Sequence, residues 1–196
     1  MSGRATRSKN PVLESGLKFS ERSRSTDDRP DVNELYNRLD KIYFNGEVKL
    51  AGFSVNWGAN MRSTAGITDL HKRTVSISWE AYQLLPESDR NGIVLHEMIH
   101  VKLFRHRMDK DSKHHTGMFI SEMDRINEMG PYKVKAHHEI PEDVKEQLHP
   151  YVWRCRSCNY ILRLPNTGAP GPQNRHLTDG QIVCDNPSWK KLWISY

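Results

Sequence analysis

Apolar residues in this chain change their spacing several times, and each change marks an element. From Asp31 onward, Leu35, Leu39, Ile42 and Tyr43 recur at three- and four-residue steps, the period of one helix face, with Asp31 and Glu34 in capping-box positions and Gly46 after the end. The period then shortens to two. Phe53, Val55 and Trp57 alternate with small or polar residues, as do Val75, Ile77 and Trp79, so two strands are expected, paired antiparallel with a turn near His71 to Arg73. Helical spacing returns between Pro86 and Phe104, with Ile93, Ile99 and Leu103 as apolar positions and Pro86 in the first turn. Phe119, Met123 and Ile126 predict a further helix from about Thr116 to Met129, which Gly130 can terminate.

The two ends of the chain follow different rules. Residues 1–30 carry charge and turn residues without apolar periodicity and read as a flexible basic and polar tail. They contain no apolar h-region of a secretory signal, and no apolar run in the chain approaches the length of a membrane span, which points to an intracellular protein without a membrane partner. After Pro141 the composition shifts: Cys155, Cys158 and Cys184 all lie beyond it, with six of the twelve Trp and Tyr residues. An odd number of cysteines argues against a disulfide framework and for metal binding. The expected fold class is therefore α+β: a helical core with a small β-sheet over residues 31–145, followed by a small metal-stapled module over residues 146–196. Nothing in the pattern suggests an obligate dimer, and a monomer is expected. The net charge of +5 fits a polyanionic partner without requiring one.

Candidate chemistry concentrates in Leu95-His96-Glu97-Met98-Ile99-His100. On a helix, residues four apart lie one above the other, so His96 and His100 can grip one zinc ion, while Glu97 can take a proton from a water that the metal acidifies. A catalytic zinc of this kind takes a third protein ligand. His106 stands at a metzincin-like position, but Leu103 replaces the glycine that lets such a chain turn back, so His106 reads as an exposed helix-end residue. Glu122 fits either a carboxylate ligand or a solvated helix face, and His114 and His115 precede a helix that can lie against the first.

The segments RLDKIYFNGEV, AGIT, LHEMIHVKLF and a His shortly before MFISEMDRIN, in that order, resemble the SprT-type domain of the Spartan DNA-protein crosslink proteases. The likeness covers residues 32–196. It implies a zincin-like metalloprotease core with His115 as third zinc ligand, a protease dependent on DNA, tolerant of substrate sequence and prone to autocleavage, and residence in the nucleus on chromatin. Two rival readings stand beside it: a zinc-stabilised DNA-binding module that cuts no peptide bond, and a metallopeptidase indifferent to DNA.

In the last module, Cys155 and Cys158 form a CxxC knuckle, and Cys184 with His176 offers the best completion of a structural zinc site. Such a site would organise a segment too small to fold on its apolar core. Arg154, Arg156, Arg163, Arg175, Lys190 and Lys191 outnumber Asp179 and Asp185 there, and Tyr151, Trp153, Tyr160, Trp189 and Trp193 are interleaved with them. Cations that neutralise phosphates beside flat rings that stack on unpaired bases suit single-stranded or partly unpaired DNA.

Overall fold

The computed structural model describes residues 29–137, 140–171, 177–178, 181–182, 184 and 187–192. Helix α1 (Val32–Tyr43) starts where Asp31 accepts from the backbone N–H groups of Asn33 and Glu34. Its buried arc runs through Val32, Leu35, Tyr36, Leu39, Asp40 and Tyr43. Ile42, expected on that face, lies just past the edge of the arc and is 52% exposed. Asp40 takes a place in the core because its carboxylate accepts from Val48 N and Lys49 N, which satisfies a group that would otherwise be costly to bury.

The strand arrangement differs from the expected hairpin. Strands β1 (Ser54–Gly58) and β3 (Thr74–Ser78) are parallel, and β2 (Gly66–Asp69) pairs antiparallel with the other edge of β3, giving the order β1-β3-β2. The turn at His71 to Arg73 therefore joins β2 to β3. Asp69 Oδ1 closes it by accepting from His71 N and Lys72 N, and Arg73 takes a positive φ of 52°. Trp79 is not the last residue of a strand. Ser78 caps a short helix, α2 (Trp79–Tyr82), by accepting from Ala81 N.

Helix α3 (Glu87–Arg105) is the axis of the molecule, buried on every side from Asn91 to Ile99. Helix α4 (Asp109–His114) and helix α5 (Met118–Met129) fold back against it, and the core closes with helix α6 (Glu142–Leu148). Helix α5 begins two residues later than its apolar spacing suggests, because the preceding turn is held by Asp111, whose carboxylate accepts from Met118 N. Glu122 is buried, in contrast to the solvated face considered for it. Lys102 Nζ donates to it at 2.6 Å and Arg125 Nε at 2.6 Å, so its neighbours compensate the charge. Burial alone would raise its pKa, but the hydrogen bonds and charges of Arg125 and Lys102 outweigh that and hold the carboxyl below the usual range.

The main hydrophobic cluster runs from Val32 to Leu148. Beyond it, β4 (Tyr151–Cys155) is the centre of a second sheet, flanked by β5 (Ile161–Leu164) and β8 (Trp189–Leu192), both antiparallel to it. A two-residue pair, β6 (Leu177–Thr178) and β7 (Gln181–Ile182), lies between them in sequence. Among the described residues, no helix is long and apolar enough to cross a membrane.

Candidate metal centres

Two histidines on consecutive turns of α3 and one from the end of α4 bring their Nε2 atoms together. His96 Nε2 and His100 Nε2 are 3.0 Å apart, and His100 Nε2 and His115 Nε2 are 3.1 Å apart. In His96 and His100 the second nitrogen meets a partner outside the cluster. His96 Nδ1 lies 2.7 Å from the Lys135 carbonyl oxygen, which can only accept, so in the neutral ring the proton sits on Nδ1 and the Nε2 lone pair points into the cluster. His100 Nδ1 meets Ser112 Oγ at 2.9 Å. Neutral imidazoles oriented this way from behind are the donor set that zinc takes.

Local backbone chemistry explains each placement. The Lys135 carbonyl reaches His96 because Gly92 lets the chain after α5 pass against α3; a Cβ there would meet the Lys133 carbonyl oxygen at 2.0 Å. His115 caps α4 in the left-handed region, at φ 50° and ψ 48°, with its N–H bonded to Asp111 and Ser112 carbonyls. That single left-handed residue swings its ring toward α3, whereas the preceding His114 is exposed and outside the cluster. Phe119, fully buried, forms a floor beneath all three rings, with centroid distances of 4.8, 5.0 and 4.5 Å to His96, His100 and His115. His106, the C-terminal cap of α3, is exposed, paired with Glu47 and outside this group.

Glu97 is buried beside the histidines, and strand β2 is shaped around it. A Cβ on Gly66 would meet Glu97 Oε1 at 2.7 Å, and Thr68 Oγ1 donates to Glu97 Oε2 at 2.6 Å. The group opens into a cleft of about 440 Å³ whose walls include Ile67, Leu70 and Lys113. Thr68, Ser112, Phe119 and the Lys135 carbonyl were not singled out as site groups in the sequence. AGIT alone pointed toward this strand.

In the second sheet, the thiols of Cys155, Cys158 and Cys184 lie within 4.8 Å of one another, with Cys155 Sγ and Cys184 Sγ 3.9 Å apart and no disulfide among them. Burial pushes Cys155 up, but backbone N–H groups of Cys158 and Ser157, then the adjacent thiols, outweigh it and bring it to about 7. Cys158 is raised, by burial first and then by the neighbouring thiols. A thiol this ready to ionise suits metal ligation. His176, the fourth ligand expected from the sequence, lies outside the described residues, as do Arg175 and Trp193.

The basic and aromatic residues of this module do not share one face. Arg154 pairs with Lys190 across the strands and both are exposed, whereas Trp153 pairs with Lys191 on the opposite face. Lys191 Nζ sits 4.9 Å from the Tyr151 ring centroid and 5.9 Å from that of Trp153. Trp153 itself is only 8% exposed, so it packs the module, while Tyr151 and Trp189 are half-buried and Tyr160 is 41% exposed. Arg156 is exposed, and Arg163 is bound to Glu146 at 3.0 Å.

A long central helix thus carries HExxH, with a third imidazole and an adjacent carboxylate over an open cleft. The family model for the SprT-like family matches residues 32–145, and the chain belongs to that family. It is 30% identical over 174 residues to a DNA-dependent metalloprotease, dvc-1, of Caenorhabditis elegans, covering 81% of this chain and 46% of that protein. It is likewise 30% identical to the DNA-dependent metalloprotease SPRTN of Xenopus tropicalis, over 81% of this chain and 38% of that protein. With the human protein of the same name, 30% identity extends over 133 residues, covering 66% of this chain and 27% of that one. The chain thus spans less than half the length of these relatives.

Proposed function

We propose that this chain is a DNA-dependent zinc metalloendopeptidase that cleaves proteins crosslinked to or bound on DNA, acting as a nuclear, chromatin-associated monomer in DNA-protein crosslink repair. Residues 31–145 carry the proteolytic site, and residues 146–196 form a zinc-stapled module that holds single-stranded or partly unpaired DNA. The observation that carries the reading is the convergence of three Nε2 atoms, each ring from a different turn or helix, beside a buried carboxylate at the edge of a sheet. The donor set fits zinc: three nitrogens close together, with the His96 tautomer fixed by a carbonyl.

His96, His100 and His115 would hold the catalytic ion, and Cys155, Cys158, Cys184 and His176 a structural one. Zinc held by the histidines would supply Lewis acidity, polarising a scissile carbonyl and making a nearby water easier to deprotonate. Glu97 is the general base: its carboxylate accepts a proton from the attacking water and returns it to the leaving amine nitrogen. Strand β2 is the outer strand of its sheet, so an extended substrate can pair with its outer edge through main-chain hydrogen bonds. Main-chain pairing reads no side chains, which accounts for broad sequence tolerance and for autocleavage. Co-residence on DNA then provides selectivity, with exposed Arg154, Arg156 and Lys190 meeting phosphates and Tyr151, Tyr160 and Trp189 offering stacking surface.

Glu97→Gln tests the reading. Zinc content and DNA affinity stay at the parent level, while cleavage of a DNA-bound protein falls by about 100-fold or more, the loss expected when a general base is removed. Parent-like cleavage by this variant would refute the mechanism. Equal cleavage with and without single-stranded DNA by the parent would remove the DNA dependence.

A further inference from the structure

We infer that Thr68 is the positioning residue for Glu97, so that strand β2 both receives the substrate and aims the base. The inference rests on the general-base reading of Glu97 given above. Gly66 and Thr68 are two apart on a strand and present the same face to α3. At Gly66 the missing side chain admits the Glu97 carboxylate, with Oε1 only 2.7 Å from where a Cβ would stand. At Thr68 the hydroxyl donates to Oε2 at 2.6 Å, the length of a charge-assisted bond. One oxygen is thus confined by shape and the other by a directed bond.

The residue type suits the task. Threonine favours strands, and its branched Cβ restricts χ1, so the hydroxyl is presented in few orientations. A carboxylate on a helix otherwise turns about three side-chain torsions, and a base displaced by about 1 Å loses about 100-fold in rate. The Thr68–Glu97 bond links residues 29 apart in sequence and joins the sheet edge to the metal-binding helix. A peptide that pairs with β2 would stiffen the strand that aims the base, so docking and alignment are coupled through one hydroxyl.

The experiment compares Thr68→Val, Thr68→Ser and Glu97→Gln in the full chain, loaded with zinc and assayed on a DNA-bound protein. Thr68→Val keeps the shape and the strand preference but removes the donor. It lowers kcat about 10- to 100-fold with KM, zinc content and DNA affinity unchanged. Thr68→Ser restores kcat to within about threefold of the parent, since the hydroxyl returns. Independently of turnover, infrared difference spectra of Thr68→Val against the parent show a shifted Glu97 carboxylate stretch, assigned through its disappearance in Glu97→Gln. A parent-like kcat in Thr68→Val, an unshifted carboxylate band, or equal impairment of the Val and Ser variants overturns the positioning role while Glu97→Gln stays inactive. If Glu97→Gln retains cleavage, it is the base reading itself that falls.

Discussion

His96, His100 and His115 hang from helices that are already packed, whereas Cys155 ends a short strand and Cys158 and Cys184 lie in a turn and a loop, with few buried apolar side chains around them among the described residues. Around the histidines, the core from Val32 to Leu148 buries α3 on all sides, and Ser112, Phe119 and the Lys135 carbonyl hold the rings from outside. Around the cysteines, the buried hydrophobic side chains among the described residues beyond Leu148 are Val152, Trp153 and Cys155 itself. In the first region the fold builds the site. In the second a metal would have to build the fold, since so small an apolar cluster does not offset the ordering of several strands.

Metal removal is the sharpest way to break that contrast. Exhaustive chelation is expected to collapse hydrogen-exchange protection in β4, β5 and β8, by about 1,000-fold or more, because structural zinc contributes on the order of 10 kcal/mol to small modules. Protection of the α3 amides should stay within about tenfold of the loaded protein, because local openings there are governed by core packing. Equal loss in both regions would mean that the histidine site, too, is organised by its ion.

The same contrast governs what could be read along the chain. Helices α1, α3 and α5 announced themselves because their signals are local: a 3.6-residue period, Asp31 as a cap, Gly130 as a stop. Strand β2 did not. Gly66-Ile67-Thr68-Asp69 is too short to alternate, and the parallel pairing of β1 with β3 is written in no local pattern. Buried charges were hidden for a related reason. Asp40 and Glu122 look solvent-facing until the backbone of Val48 and Lys49, or Lys102 twenty residues away, is placed beside them. His96, Glu97 and His100 stood out because helix geometry alone puts them together. The stance of His115, in contrast, depends on one left-handed residue, and the supports at Thr68 and Ser112 depend on tertiary contact.

A second test asks whether the core's independence comes from its own side-chain networks. Glu122 links Lys102 on α3 to Arg125 on α5, and Arg125 Nη2 continues to the Tyr43 carbonyl at 2.7 Å. Glu122→Gln is expected to cost about 1 to 3 kcal/mol at neutral pH, read by denaturant unfolding, and by the same amount with or without zinc. Because the carboxyl is held below its ordinary range, its contribution is complete above the unfolded carboxylate pKa of about 4.3 and fades as pH falls through the lower folded value. The gap between parent and variant should therefore close in acid. A gap that persists there, or that appears only in the zinc-loaded protein, would assign the effect to something other than this ion pair.

The smallest expected effect falls where the two regions meet. Arg62 lies on the chain leading into β2; its Nη1 donates to the Pro165 carbonyl at 3.0 Å, and its own carbonyl accepts from His149 Nε2 at 3.0 Å. Arg62→Ala removes the first bond and keeps the second, since the backbone acceptor is unchanged. The loss is expected to be under about 1 kcal/mol, as for a single partly solvated hydrogen bond. Its distribution is the informative part. If each region is stable for its own reasons, hydrogen exchange in the zinc-loaded protein should rise a few-fold in β5, beside Pro165, and stay unchanged in α3. A matched rise in both would show that the regions open as one cooperative unit, and the division of labour between a fold-built and a metal-built site would no longer hold.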